Sequence, residues 1–246
     1  MAEEIRILMA GVSGRTGRVV AAGLDTYSNG LTLVGGVGKR SAGRDLGELL
    51  RGSPDGRIIY GELAQALEKL QPDVLVDFTT AEVAVENVCM AAREGVRPVV
   101  GTTGFDEKQM NRIISAVESA GIGGAVIPNF SLGAMLLMRF CEEAIRFFRR
   151  VEIIELHHEG KKDAPSGTAK LIASRMNLTE VPVHSVRLPG LVAHHEVIFG
   201  GTGQTLTLRH DSISRESFVE GVALTVQKVM NLDRLIFRLD DAVMGA

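Results

Sequence analysis

Two histidines, two lysines and a serine–glycine–threonine turn stand together in Glu155-Leu156-His157-His158-Glu159-Gly160-Lys161-Lys162-Asp163-Ala164-Pro165-Ser166-Gly167-Thr168-Ala169. Histidine exchanges a proton near neutral pH, and lysine brings a compact positive charge. Ser166 is a favoured residue for opening a helix. The first turn of a helix presents backbone N–H groups that attract anions, and Gly167 lets a ligand approach them closely. This combination describes a small pocket for a carboxylated substrate that must be protonated. Asp163 either holds Lys161 or caps the loop; the alternative is that Lys161, like Lys162, is an ordinary exposed lysine and that Ser166-Gly167-Thr168 is only a helix cap. His157 and His158 end a strand, where neighbouring side chains point to opposite faces. They therefore make a poor metal pair, and no third ligand stands at helical spacing. His194-His195 is a second such pair and is assigned no function. The Gly160-Lys161-Lys162 run lacks the frame of a phosphate-binding P-loop.

A second constellation lies near the N-terminus. Gly11-Val12-Ser13-Gly14-Arg15-Thr16-Gly17 follows an apolar strand and opens a helix. Glycines there allow a tight turn, let the backbone approach a pyrophosphate and let the helix pack on the sheet. A dinucleotide-binding domain often ends its second strand with an acid that accepts from the ribose hydroxyl. Here that strand ends Val37-Gly38-Lys39-Arg40, with glycine at the acidic position and two cations after it. Lys39 and Arg40 either attract a 2′-phosphate or are solvated loop charges, and Arg15 adds a further charge. Gly101-Thr102-Thr103-Gly104 and Ile127-Pro128-Asn129-Phe130 end two later strands, where open α/β sheets bind ligands.

Several elements must position these groups. Apolar runs at 5–10, 31–37, 57–60, 73–78, 97–100 and 124–127 read as strands. Helical stretches at 15–27, 62–70, 81–94 and 106–120 alternate with them, which implies a parallel sheet wrapped by helices. After Asn129 the pattern changes. A helix is expected over 131–149, a strand over 151–157 and a helix from Ser166 to Asn177. Three strand-like runs follow at 183–188, 192–199 and 205–209, so a second domain on an open mixed sheet is expected. A helical pattern then runs from Arg215 to Met230, and a short tail ends the chain.

The 246 residues are enough for two modest domains with ample core. Apolar residues make up 45% and charged residues 23%, as in ordinary globular proteins. A formal net charge of -3 gives no nucleic-acid or polybasic membrane footprint. Aromatic content of 4% with no Trp argues against base-stacking platforms. Cys89 and Cys141 read as reduced core thiols. The acidic Met1-Ala2-Glu3-Glu4 start does not read as a signal peptide, and no apolar run reaches a membrane span. A cytoplasmic enzyme is expected.

Glu155-x-His157-His158-x-x-Lys161-x-Asp163-Ala164-Pro165-Ser166-Gly167-Thr168 resembles the signature segment of the dihydrodipicolinate (4-hydroxy-tetrahydrodipicolinate) reductase family of lysine biosynthesis. The likeness covers nearly the whole chain: the GxxGxxG turn, Asp77-Phe78-Thr79, Gly101-Thr102-Thr103-Gly104, Asn129-Phe130-Ser131 and the Arg209–Arg215 run. The resemblance implies an α/β fold: a Rossmann-type doubly wound parallel sheet over 1–130 plus 216–246, with a second α+β domain over 131–215. It implies reduction of a cyclic unsaturated dicarboxylate with NADPH, or with NADH. His157 and Lys161 match the family's proton-transfer pair. His158, Lys161, Ser166, Gly167, Thr168 and Thr103 would hold the carboxylates. Gly11, Val12, Ser13, Gly14, Arg15, Thr16, Lys39, Arg40, Gly101, Thr102, Thr103, Ile127, Pro128, Asn129 and Phe130 would hold the nucleotide. No metal is implied, the assembly would be a homotetramer built through the second sheet, and domain closure would exclude water. The short Leu178–Pro182 connection departs from the longer polar insert of many members. Three rivals stand beside this reading: a nicotinamide-dependent dehydrogenase of another substrate, a non-catalytic NADPH-binding sensor, and a structural protein derived from the reductase, which should lack His157 or Lys161, whereas both are present.

Overall fold

The computed structural model describes residues 4–27, 29–178 and 180–244. The chain divides into two compact units, Met1–Phe130 with Phe218–Ala246, and Ser131–Ser217.

The first unit is built on a sheet in which every paired strand is parallel. Its strands are β1 (Ile5–Ala10), β2 (Leu31–Val37), β3 (Ile59–Tyr60), β4 (Val74–Asp77), β5 (Arg97–Val100), β6 (Gly124–Val126) and β11 (Leu235–Ile236). They lie in the order β11-β6-β5-β4-β1-β2-β3. The helices are α1 (Arg15–Asp25), α2 (Leu46–Arg51), α3 (Leu63–Leu70), α4 (Ala81–Arg93), α5 (Glu107–Ala120), α8 (Val219–Val229) and α9 (Leu239–Val243). Ile7, Leu8, Met9 and Ala10 are all fully buried, the continuous burial expected of a strand covered on both faces. Leu8, Ala10 and Leu75 pack with Leu63, Ala66 and Leu67 of α3 and Ala91 of α4. Strand order reverses at β1, which lies between β2 and β4. In such sheets the crevice beyond the carboxyl ends of the two neighbouring strands is where ligands bind.

The second unit holds α6 (Leu132–Ala144), β7 (Arg150–His157), α7 (Gly167–Arg175), β8 (Val183–Arg187), β9 (Ala193–Gly201) and β10 (Gln204–Ser212). Its sheet runs β10-β9-β7-β8. The β7–β8 pair is parallel and the other two pairs are antiparallel, so the sheet is mixed. Val151, Ile153, Val197 and Phe199 share one core with α6 and α7. The strand period of two carries that buried face onward to Glu155 and His157. Register sets Glu155 opposite His195 on β9, and His157 opposite Arg187 on β8.

Several elements differ from their sequence expectation. The helix expected to reach 149 ends at Ala144, because Phe148 turns back to pack on Phe199 at a ring separation of 6.0 Å. The tail expected after Met230 contains β11 and α9; Leu235 and Ile236 extend the parallel sheet beside β6, and Leu239 and Ala242 are buried. Helix α2 was not anticipated; Asp45 caps its start, and Gly52 closes it in the left-handed region at φ 78°. Within the short 178–182 connection, Thr179 lies outside the described residues. No helix among the described residues is long and apolar enough to cross a membrane.

Candidate functional site

The first unit contains a cavity of about 510 Å³ at the strand-order reversal, bordered by Arg15, Thr16, Thr79, Glu82, Gly101 and Thr103 among others. These residues follow β1, β4 and β5. Gly11 makes the turn after β1 at φ +75°, and a Cβ there would stand 2.7 Å from the carbonyl oxygen of Phe78. A Cβ on Gly17 would clash with the carbonyl oxygen of Gly11, so the glycine lets α1 seat against its own turn. Gly14 caps α1 without a side-chain hydrogen bond, and the first turn carries no acid. The leading N–H groups of α1 are thus not answered by a side-chain cap. They form the kind of cradle that a pyrophosphate fits, so the residues present suit a dinucleotide.

A buried carboxylate braces this cavity. Asp77, fully buried at the end of β4, accepts from the Thr79 N–H at 2.8 Å, the Thr79 hydroxyl at 2.6 Å and Asn87 Nδ2 at 2.7 Å. Thr102 reaches over from the β5 loop and donates to the Thr79 carbonyl at 3.2 Å. Of the nucleotide residues expected from sequence, Arg15, Thr16, Gly101, Thr102 and Thr103 line the cavity, whereas Gly11, Val12, Ser13, Gly14, Lys39, Arg40 and Ile127–Phe130 do not. Lys39 and Arg40 are exposed on a short 3-10 turn after β2. Ile127 and Phe130 are buried, with Phe130 tilted against Phe78 at 5.9 Å, and Pro128 is exposed.

The second unit gathers the histidine–lysine segment around the end of β7. His157 is only 6% exposed, while the adjacent His158 is exposed. Their separation follows from strand alternation. Lys161 pairs with Asp163 at 2.8 and 2.9 Å, which holds the Asp163 carboxyl below the usual carboxylate range. Ser166 caps α7 by accepting from the Ala169 N–H at 3.1 Å. Gly167 and Thr168 then form the first turn of that helix. Arg187 binds Glu155 through both guanidinium ends, at 2.7 and 3.1 Å. Arg187 also reaches the carbonyls of Lys161 and Asp163 at 3.3 and 2.7 Å, tying the lysine loop to the sheet.

Burial lowers the His157 pKa from its ordinary value; Glu155 opposes this, while Lys161 and Arg187 add to it. His195 is 3% exposed. Burial, reinforced by His157, pushes it down to about 3. Its Nε2 lies 3.2 Å from the Ser166 hydroxyl, and its ring stands edge-on to His157 at 5.3 Å. His194, one residue earlier, instead contacts Asp211 at 2.6 Å. Sequence reasoning missed Glu155, Arg187 and His195. The i, i+2 spacing of Glu155 and His157 on one strand was the available signal. The partners from β8 and β9 come only from register.

The family model described as dihydrodipicolinate reductase, N-terminus, matches residues 5–130. Its C-terminal counterpart matches 133–243. The 4-hydroxy-tetrahydrodipicolinate reductase of Moorella thermoacetica is 44% identical, with 98% of each chain covered. That of Symbiobacterium thermophilum is 46% identical over 97% of each. A dihydrodipicolinate reductase from Paenisporosarcina sp. TG-14, solved with dipicolinate bound, aligns at a TM-score of 0.84 and 35% identity, covering 97% of this chain and 99% of that one. An amine dehydrogenase from Mycobacterium smegmatis, at 14% identity and a TM-score of 0.71, shares the fold. With both family halves matched in order and full-length relatives at this identity, the chain belongs to the dihydrodipicolinate reductase family.

Proposed function

We propose that this protein reduces 4-hydroxy-tetrahydrodipicolinate to tetrahydrodipicolinate in the diaminopimelate route to lysine, using NADPH and accepting NADH. The observation that carries this reading is the end of β7, where a buried histidine, a lysine and a serine-capped helix start lie on one short segment. The nicotinamide, when bound, supplies the hydride. The chain's own residues do the rest. The N–H groups of α1, with Arg15, hold the pyrophosphate. Thr102 and Thr103 border the nicotinamide half, with Ile127–Phe130 at the neighbouring strand end. Lys39 and Arg40 meet the 2′-phosphate.

At the substrate, the N–H groups of Gly167 and Thr168 take a carboxylate, with His158 beside them. Lys161 exchanges its pairing with Asp163 for the substrate. Water leaves the 4-hydroxy compound to give the conjugated imine, and His157 passes the proton that must follow hydride addition to it. General acid–base help of this kind is typically worth about 10²–10⁴-fold. The first unit is thereby the nucleotide domain and the second the substrate domain. The sheet of the second unit turns one face to α6 and α7. On the other face Ile154, Leu156 and Ile198 are half-buried, and this is the face assigned to assembly of a cytoplasmic homotetramer.

The test is a coupled assay in which a dihydrodipicolinate-forming synthase supplies fresh substrate and loss of NADPH is followed. Synthase-dependent oxidation of NADPH supports the reading. Binding of NADPH without turnover would favour a nucleotide sensor instead.

A further inference from the structure

The chemistry above uses His157 but leaves unexplained the carboxylate on the same face of β7. Glu155 is fully buried, an expensive place for an acid unless it is paired and hydrogen-bonded. Both of its oxygens accept from Arg187, at 2.7 and 3.1 Å. A carboxyl held in a two-point guanidinium pair is an anion. Its Oε2 also contacts Nδ1 of His157. An anionic oxygen can only accept, so the hydrogen in that contact belongs to Nδ1. The other ring nitrogen, Nε2, is then the one left to exchange a proton.

The remaining neighbours reinforce this arrangement. From β9, His195 lies edge-on to the His157 ring and is itself engaged with Ser166, so it confines the ring. From β8, Arg187 fixes the carboxylate. From the loop after β7, Lys161 adds a positive charge paired with Asp163. We propose that Glu155 is a positioning residue, which holds His157 as the Nδ1–H tautomer and presents Nε2 to the substrate. Arg187 keeps Glu155 anionic and locks it to the loop that carries Lys161. This proposal rests on the assignment of proton transfer to His157.

The charge of Glu155 also favours the imidazolium form against burial, Lys161 and Arg187. Glu155→Gln keeps an acceptor for Nδ1 but removes that charge. The imidazolium is then lost at lower pH, and the alkaline limb of the pH–kcat profile shifts down. At pH 8 kcat should fall by about 100-fold, within the range of a lost general acid, while KM changes little. Glu155→Gln/Arg187→Met, which leaves no unpaired buried charge, should show a smaller shift in the same direction if the single variant folds poorly, because the lost Arg187 cation also opposed the imidazolium.

Nitrogen-15 spectra of the wild-type histidines read the tautomer without any substitution or turnover. The expected result is a pyrrole-type Nδ1 and a pyridine-type Nε2 at His157, with the kinetic limb displaced in the variants. A protonated Nε2 on neutral His157, or a pH profile unmoved in a folded variant, would overturn the proposal while leaving an active wild type as a reductase. A wild type inactive in the coupled assay would overturn the reductase reading, and the role of His157 with it.

Discussion

His195 gives the fold a calculable sensitivity to acid. Burial holds its folded-state pKa at about 3, against an ordinary 6.5. As a depressed histidine, it stays neutral in the folded chain while the unfolded chain takes up a proton below about pH 6.5. Its contribution to stability is therefore complete above 6.5 and is lost as pH falls toward 3. At about 1.36 kcal/mol per unit, the shift caps the total loss near 5 kcal/mol. Between pH 7.5 and pH 4.5 the loss from this one group is about 2–3 kcal/mol. His195→Gln retains an amide N–H for the Ser166 hydroxyl but cannot titrate. Urea unfolding of both proteins at pH 7.5, 6.0 and 4.5 isolates the effect, because the other titrating groups are common to both. The variant starts less stable at pH 7.5, and the gap closes by about 2–3 kcal/mol at pH 4.5. Parallel stability curves would refute the reasoning, since they would mean that His195 protonates as easily in the folded chain as in the unfolded one.

His157→Ala and Lys161→Ala should each lower kcat by about 10²–10⁴-fold with little change in NADPH affinity; turnover within twofold of wild type in both would remove their assigned roles. Pyridine-2,6-dicarboxylate should compete with substrate, and Thr168→Val or His158→Ala should raise its inhibition constant by about tenfold or more, the loss of a hydrogen bond to a charged group. Unchanged constants in both would place the carboxylates elsewhere. Gly38→Glu/Lys39→Ala should swing the kcat/KM ratio toward NADH, and added salt should hurt NADPH more than NADH in the wild type. A Cβ at Gly38 meets the hydroxyls of Ser41 and Ser13 at 2.9 and 3.2 Å, groups that can turn aside, so the variant should fold. A ratio that does not move would show that these residues do not read the 2′-phosphate.

Much of this architecture is legible in the sequence because its signals are local. The run Ile5–Ala10 followed by Gly11-x-x-Gly14-x-x-Gly17 announces strand, turn and helix, since only glycine tolerates the φ of residue 11 and the contact at residue 17. Ser166-Gly167-Thr168 announces a helix start for the same kind of reason. What escapes the sequence depends on contacts far along the chain. The strand β11 has only two residues and exists because β6 offers it an edge. His195 reads as half of an unremarkable histidine pair until register sets it opposite Glu155. Arg187 looks like a strand-end cation until β8 pairs with β7 and delivers it to a buried acid. Lys39 and Arg40 remain a charge argument, because the cavity of the first unit is lined by other residues.

The central claim is hydride transfer to a dihydrodipicolinate-type substrate, and isotope transfer tests it most directly. The protein, a synthase supplying fresh substrate and NADPH deuterated at the transferable position of the nicotinamide would be combined, and the product analysed by mass spectrometry. The account predicts one deuterium in tetrahydrodipicolinate for each NADPH oxidised, with the yield collapsing in His157→Ala. NADPH oxidised without deuterium in the product, or product formed equally well without NADPH, would contradict it.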